Sequence, residues 1–309
     1  DAQVLASPLP DDPALEDLAS GYFPPEAIAA FPAEPPRHRL KREIVSTVLV
    51  NRIVNLAGPV FAFRMRELSG LSGAEVARGF VMADGAFGLS ALKERIDMLD
   101  GKIPAEIQIR LYAAIADHLR RVTPWFLTHV AADAALTESI ALYRAGTEAL
   151  RAGAVLDEDV TGRLAEWCKD GVPEEIAHDV ALLPALAAAP DIALLAHDAH
   201  RAPAQVAALY FALGRTLGLD RLRGWGQRLS PSEHWDRLAL RRLTEDLSAT
   251  QRALARRLLA DGSGGIDAWA ARNAAALERI HGFAAAMESS GELSIAKLML
   301  AASQVRNLA

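Results

Sequence analysis

Between Leu40 and Leu56 the chain has no glycine or proline. Ile44, Val45, Val48, Leu49, Val50, Ile53 and Val54 make most of this stretch apolar, and Arg39, Glu43, Thr47, Asn51 and Asn55 recur every four residues. That spacing predicts a helix with a polar stripe drifting slowly around its axis, ended or kinked at Gly58-Pro59. Ser72 with Glu75 reads as a capping box for a helix through Ala86. Ser90 is placed to cap a short helix ending near Gly101, and Pro104 suits the first turn of a longer one over 105–130, with a kink expected at Pro124. Further helices are predicted over 134–151, 157–169, 173–188, 191–200, 203–217, 220–229, 232–260, 268–288 and 293–307. No alternation of period two bounded by turns emerges, and no repeat of fixed period.

The predicted fold is therefore all-α, an irregular multi-helix array of two packed bundles meeting near 131–155, behind a proline-rich extended N-terminal strap. Eight of the 16 prolines lie before Arg37, so residues 1–36 cannot form one regular element. A short helix fits 13–20, and Tyr22, Phe23 and Phe31 are the residues expected to pin the strap. The expected division is 1–36 as linker, 37–132 and 133–261 as two helical subdomains, and 262–309 as C-terminal helices packing back.

Composition sharpens this. A hydrophobic share of 51%, mostly Leu and Ala, favours a folded helical protein. The net charge of -6, with no basic stripe, argues against nucleic acid as a partner. Cys168 is the single cysteine, which excludes an intrachain disulfide and fits a reducing compartment. No basic segment followed by an apolar run opens the chain, and the apolar stretch 181–196 is interrupted by Pro184, Pro190 and Asp191. A cytoplasmic protein without a membrane segment is the expectation. The start at Asp1 without Met points to a piece of something longer.

Candidate chemistry is sparse. Gly262-Ser263-Gly264-Gly265 follows an Arg-rich helix where a dinucleotide site needs a strand, so it reads as a helix-terminating loop. Gly224-Trp225-Gly226 fails the same test. His197, Asp198 and His200 sit within one turn, a partial zinc set better read as polar residues at a helix end. Cys168 beside Trp167 reads as a packed thiol. Glu174-Glu175 and Asp157-Glu158-Asp159 suit helix starts, where the macrodipole favours them. Residues 72–92 outline a helix-turn-helix, but Glu94 and Asp97 beside Lys93 and Arg95 favour a helix pair packed on its neighbours. The stripe Arg39, Glu43, Thr47, Asn51, Asn55, with Arg64 beyond it, has two readings. One is an interior network fixing helix register; the other is a polar seam meeting another domain.

Tyr22-Phe23-Pro24, the run from His38 to Thr47, Asn51, Val54-Asn55, Phe61, Arg64, Gly70, Glu75 to Arg78, Phe87, Leu99 to Pro104 and Thr123 to Leu127 resemble, in this order, the C-terminal region of the large bacterial NAD-specific glutamate dehydrogenases. A second block continues the resemblance: Asp191 to Ala193, Val206-Ala207, Tyr210 to Gly214, His234-Trp235, Leu238-Ala239, Asp246-Leu247 and Gln251-Arg252. Lys41 stands where Arg is usual, and Pro59 follows Gly58. The resemblance implies a parent oxidoreductase converting L-glutamate to 2-oxoglutarate and ammonia with NAD. Its glutamate pocket, catalytic lysine and aspartate, and nucleotide turn lie upstream and have no matching positions here. It thus implies no catalytic, cofactor-binding or metal residue in this chain, and NAD only in the parent. The implied partners are the catalytic domain of the same polypeptide and a homo-oligomer of the parent. The role expected is structural or regulatory, with Arg39, Glu43, Thr47, Asn51, Asn55 and Arg64 as the seam. The alternative is a small-ligand sensor with a pocket near Asn51, Asn55 and Arg64.

Overall fold

The computed structural model describes residues 1–31, 34, 37–153, 158–229, 233–261, 265–289, 291 and 293–308, and among them regular structure is helical, with no strand. The N-terminal segment is a string of helical turns rather than an extended strap: α1 (Ala2–Leu5), 3-10 turns at Leu9–Asp11 and Pro13–Leu15, α2 (Glu16–Ser20) and α3 (Pro25–Ala30). Its prolines break the path, yet Pro10, Pro13 and Pro25 each sit in the first turn of an element, where no amide donor is needed. Pro32, Pro35 and Pro36 lie outside the described residues. The expected aromatic pins are not the anchors. Tyr22 and Phe31 are 57% and 65% exposed, and only Phe23 is half-buried, against His38. Val4, Leu9, Leu15 and Leu18 are buried in their place. Arg42 adds hydrogen bonds to the Leu5 and Ser7 carbonyls (2.7 and 2.9 Å) and an ion pair with Asp11.

Helices α4 (Lys41–Ala57), α5 (Phe61–Ser69), α6 (Gly73–Phe87), α7 (Leu89–Asp97), α8 (Ala105–His129), α9 (Leu136–Gly153), α10 (Glu158–Lys169) and α11 (Glu174–Leu186) complete a first unit, Asp1–Pro190. The chain therefore divides at 190/191, not at the expected 132/133. The reason lies in α6, which packs on both α8 and α9 and so ties α9 to the first unit. The Ser72–Glu75 capping box forms in both directions, and its hydrogen bonds hold the Glu75 carboxyl below the usual range. Val76, Ala77, Phe80, Ala83, Ala86 and Phe87 are all buried, so α6 is a core element of the first unit. Ser90 is not a cap. Its amide and hydroxyl both donate to Asp84 (2.7 and 2.6 Å), and Gly88 takes the N-cap position of α7.

The α6–α9 contact depends on Gly85, where a Cβ would stand 2.8 Å from Cγ2 of Ile140. Gly85→Ala is expected to destabilise the chain by about 1–2 kcal/mol despite the better helix propensity of alanine. Gly162, inside α10 with nothing within 4 Å, is the control: Gly162→Ala is expected to stabilise by about 0.5–1 kcal/mol. Urea midpoints of the two variants should move in opposite directions, and equal shifts would show that Gly85 is not a packing position.

The second unit, Asp191–Ala309, holds α12 (Ala189–Asp198) from its third residue, then α13 (Pro203–Thr216), α14 (Leu219–Arg228), α15 (His234–Asp261), α16 (Gly265–Arg272), α17 (Ala274–Ser289) and α18 (Ile295–Arg306). The helix expected over 268–288 is two. The break falls at Asn273, whose side-chain amide donates to the Trp269 carbonyl at 2.8 Å, a local bond that competes with continuing the helix. Asp157, Ser232 and the Gly262–Gly264 part of the glycine loop lie outside the described residues. Among the described residues no single helix is long and apolar enough to cross a membrane.

Candidate functional site

Arg39, Glu43, Thr47, Asn51, Asn55 and Arg64 are all solvent-exposed, which overturns an interior network. Helix α4 is amphipathic in an unusual sense: Val45, Leu49, Ile53 and Leu56 bury one face, and the other is mixed. Leu40, Glu43, Thr47, Asn51 and Val54, spaced by threes and fours, lie along that outer face. At Gly58, with φ 90°, the chain turns through 91° into α5, where Phe61 and Met65 point inward. Val60, Phe63 (61% exposed) and Leu68 are left exposed. None of the six stripe residues has a side-chain hydrogen bond or ion pair among the described residues. The face is thus an apolar and polar mixture without internal partners. An unpaired exposed amide costs little, because water satisfies it, whereas a cluster of exposed large apolar side chains is what a protein surface usually avoids.

Asn51, Asn55 and Arg64 line neither of the two clefts described. A cleft of about 510 Å³ opens elsewhere in the first unit, between the N-terminal turns, α4, α6 and α9. Leu18, Leu49, Phe80 and Ile140 make its apolar part; Asp17, Arg52, Asp84 and Arg144 bring charge to it. Asp84 is buried and satisfied by Ser90, with the Arg52 guanidinium 3.7 Å away. Arg144 donates through Nε and Nη2 to the Gly85 carbonyl (3.0 and 2.8 Å). The sequence reading passed over these residues. A signal was there: Asp84 is the one charged residue in the apolar run from Phe80 to Leu89, and a lone carboxylate in such a run calls for a partner.

The second unit contains a buried polar network. Asp191, 4% exposed, accepts the Tyr210 hydroxyl (2.8 Å) and the Arg252 guanidinium (2.5 Å). Gln251 donates to the Tyr210 carbonyl (2.8 Å) and accepts from Arg223 (2.6 Å). Burial first, and then the Asp191 carboxylate, push the Tyr210 hydroxyl well above its ordinary pKa, so it stays a donor. Gly214 allows this approach, since a Cβ there would meet Gln251 Nε2 at 2.9 Å. Asp191, Tyr210, Gly214, Gln251 and Arg252, scattered through the resemblance, meet here. Their arrangement binds helices together and offers no open face to a reactant.

The remaining candidates stay apart. His197, Asp198 and His200 are exposed at the end of α12, and Asp198 is engaged by Arg256 at 3.1 Å. No group of three or more metal-ligating side chains gathers among the described residues. Cys168 is exposed rather than packed; Trp167, beside it, carries the Arg110 guanidinium 4.7 Å above its ring. Glu174 and Glu175 stand exposed in the first turn of α11.

Comparison with known proteins agrees with the resemblance. The family described as "Glutamate dehydrogenase, C-terminal" matches residues 1–307. The NAD-specific glutamate dehydrogenase of Halomonas elongata is 31% identical over 285 residues, 86% of this chain and 17% of that protein. Those of Mycobacterium tuberculosis and Pseudomonas aeruginosa are 30% and 32% identical, covering 99% and 81% of this chain but 20% and 16% of their own lengths. The chain thus spans a fifth or less of these relatives. On a match of this extent, it belongs to the glutamate dehydrogenase C-terminal family.

Proposed function

We propose that this chain is a non-catalytic, structural and regulatory module of an NAD-dependent glutamate dehydrogenase, and that it packs on the rest of that polypeptide through the outer face of α4 and α5. The parent reaction is the oxidative deamination of L-glutamate to 2-oxoglutarate and ammonia, with NAD as hydride acceptor. The observation that carries the reading is the outer face itself, with Leu40, Val54, Val60, Phe63 and Leu68 exposed beside six polar side chains that have no hydrogen-bond or ion-pair partner among the described residues. Relatives about five times longer supply a large amount of chain to cover it. An amphipathic surface matches the polar-rimmed anatomy of domain interfaces.

Two measurements test this. Glutamate-dependent NAD reduction is expected from the full-length enzyme and not from the 309-residue chain; turnover by the purified chain would overturn the non-catalytic reading. In the full-length enzyme, Thr47→Arg with Phe63→Glu is expected to lower activity or assembly by about tenfold or more, the loss of at least 1.4 kcal/mol across an interface. The same pair should leave the helicity and melting of the isolated chain unchanged. Wild-type assembly and activity in that variant would remove the face from the reading, and self-association of the isolated chain abolished by the pair would assign it to a second copy.

A further inference from the structure

The charge on the outer face of α4 and α5 narrows the kind of surface that covers it. Residues 1–190, the first unit, hold 18 basic and 27 acidic residues, so the unit as a whole is strongly negative. Most of its arginines are engaged within it: Arg42, Arg95, Arg110, Arg120 and Arg151 each meet a carboxylate. The outer face is the exception. Arg37 and Arg39 stand exposed just before α4, and Arg64 and Arg66 stand exposed on α5. None of the four has a side-chain hydrogen bond or ion pair among the described residues. Glu43 and Glu67 are the only acidic residues between positions 37 and 70. The face is therefore locally positive on a negative unit, with its cations left unpaired.

The arrangement of these charges selects an occupant. Helix α4 has 17 residues and is about 25 Å long. One arginine pair sits before its start and the other beyond its end, after the 91° turn. Leu40, Val54, Val60 and Phe63 lie exposed along the path between them. Phe63 is three residues before Arg66 and so shares its side of α5. A second copy using the same face would bring arginine to arginine at the ends, because a two-fold contact uses one patch twice. We propose, resting on the docking role given to this face above, that its occupant is an acidic amphipathic segment of the same polypeptide. Its apolar stretch lies over Val54, Val60 and Phe63, and its flanking carboxylates pair with Arg39 at one end and with Arg64 and Arg66 at the other. The apolar centre supplies most of the affinity, and the opposite charges at the rim fix register and reject wrong partners.

The test uses the full-length enzyme. Arg39→Lys and Arg64→Lys keep the charge and add a primary amine, which a carbodiimide joins to a carboxylate only at ion-pair distance. Peptide mass spectrometry is expected to find both positions linked to Asp or Glu residues of the same polypeptide outside the 309-residue chain. Links between two polypeptides, revealed by mixing isotope-labelled with unlabelled enzyme, overturn the proposal, and so does the absence of links at both positions. Arg64→Glu with Arg66→Glu is expected to lower activity or assembly about tenfold or more, and Arg64→Gln with Arg66→Gln clearly less, because reversal adds repulsion to the lost attraction. These side chains are exposed, so the melting of the isolated chain should not change. Phe63→Ala separates this proposal from the docking role on which it rests. Loss of assembly in Phe63→Ala but not on charge reversal leaves the docking role standing and overturns the acidic partner. Wild-type behaviour in both removes the docking role, and the proposal with it.

Discussion

Asp191→Ala is expected to destabilise the second unit by about 3–5 kcal/mol, the largest effect of any single substitution considered for it. Asp191 and Arg252 are 6% and 14% exposed at their side chains, and their contact is 2.5 Å. Removing the carboxylate leaves a guanidinium with little access to water and strips the Tyr210 hydroxyl of its acceptor. The cost comes mainly from the buried groups that lose the Asp191 carboxylate rather than from the lost attraction. The double variant Asp191→Leu with Arg252→Met is therefore expected to recover most of the loss, because two apolar side chains of similar reach leave no buried charge. Urea unfolding of the four members of this cycle measures the coupling directly. A loss below about 1 kcal/mol in the single variant would mean that Arg252 swings out to solvent and that the network does not hold the helices.

The second large effect is a dependence on pH set by His118. Its ring is buried on α8, edge-on to Phe87 with centroids 4.4 Å apart, and neither nitrogen reaches a partner in normal hydrogen-bond geometry. Burial above all, then the Arg121 guanidinium, with a smaller contribution from Arg151, brings its pKa down to about 3; the nearby Leu183 backbone opposes this in smaller measure. The unfolded chain takes up this proton near pH 6.5 and the folded chain only near pH 3. The folded state thus binds fewer protons through that window. Stability is full above the unfolded value and falls as the pH drops, by about 1.4 kcal/mol per unit from this one group. Chemical unfolding at pH 7, 5.5 and 4.5 should show a steeper loss in the wild-type chain than in His118→Met, which has no proton to gain. Parallel profiles would show that His118 reaches water, or protonates in place, and that carboxylates alone account for the acid sensitivity.

Much of the local structure was legible because it depends on neighbours in the chain. The Ser72–Glu75 box, the stop at Gly58 and the start after Pro104 involve groups within four residues of one another, and each is where the spacing put it. What failed did so where the deciding partner lies on another element or outside the local capping pattern. Ser90 looked like a cap, but Asp84 claims both its donors. Tyr22 and Phe31 looked like anchors by hydrophobicity, yet smaller side chains before them fill the available grooves. The stripe on α4 illustrates the limit best. Its period is visible from residue types alone, but a helix with apolar residues on most sides gives no way to decide whether the polar line faces inward or outward. Burial of Val45, Leu49 and Ile53, on a helix that packs against α2, α6 and α8, settles that it faces outward.

The amino-acid sequence by itself determined that this protein is all-helical, where most helices begin and end, and which family it belongs to, because propensity, capping and ordered motifs are properties of short stretches and their order. Tertiary structure alone decided that the chain divides at 190/191, that Asp191, Tyr210, Gln251 and Arg252 form one buried network, and that Asp17, Arg52, Asp84 and Arg144 share a cleft. These outcomes depend on which helix faces find each other. Apolar surface drives helices together without direction, and the choice among pairings is made by shape at positions such as Gly85 and Gly214, whose role is invisible until the neighbouring helix is in place.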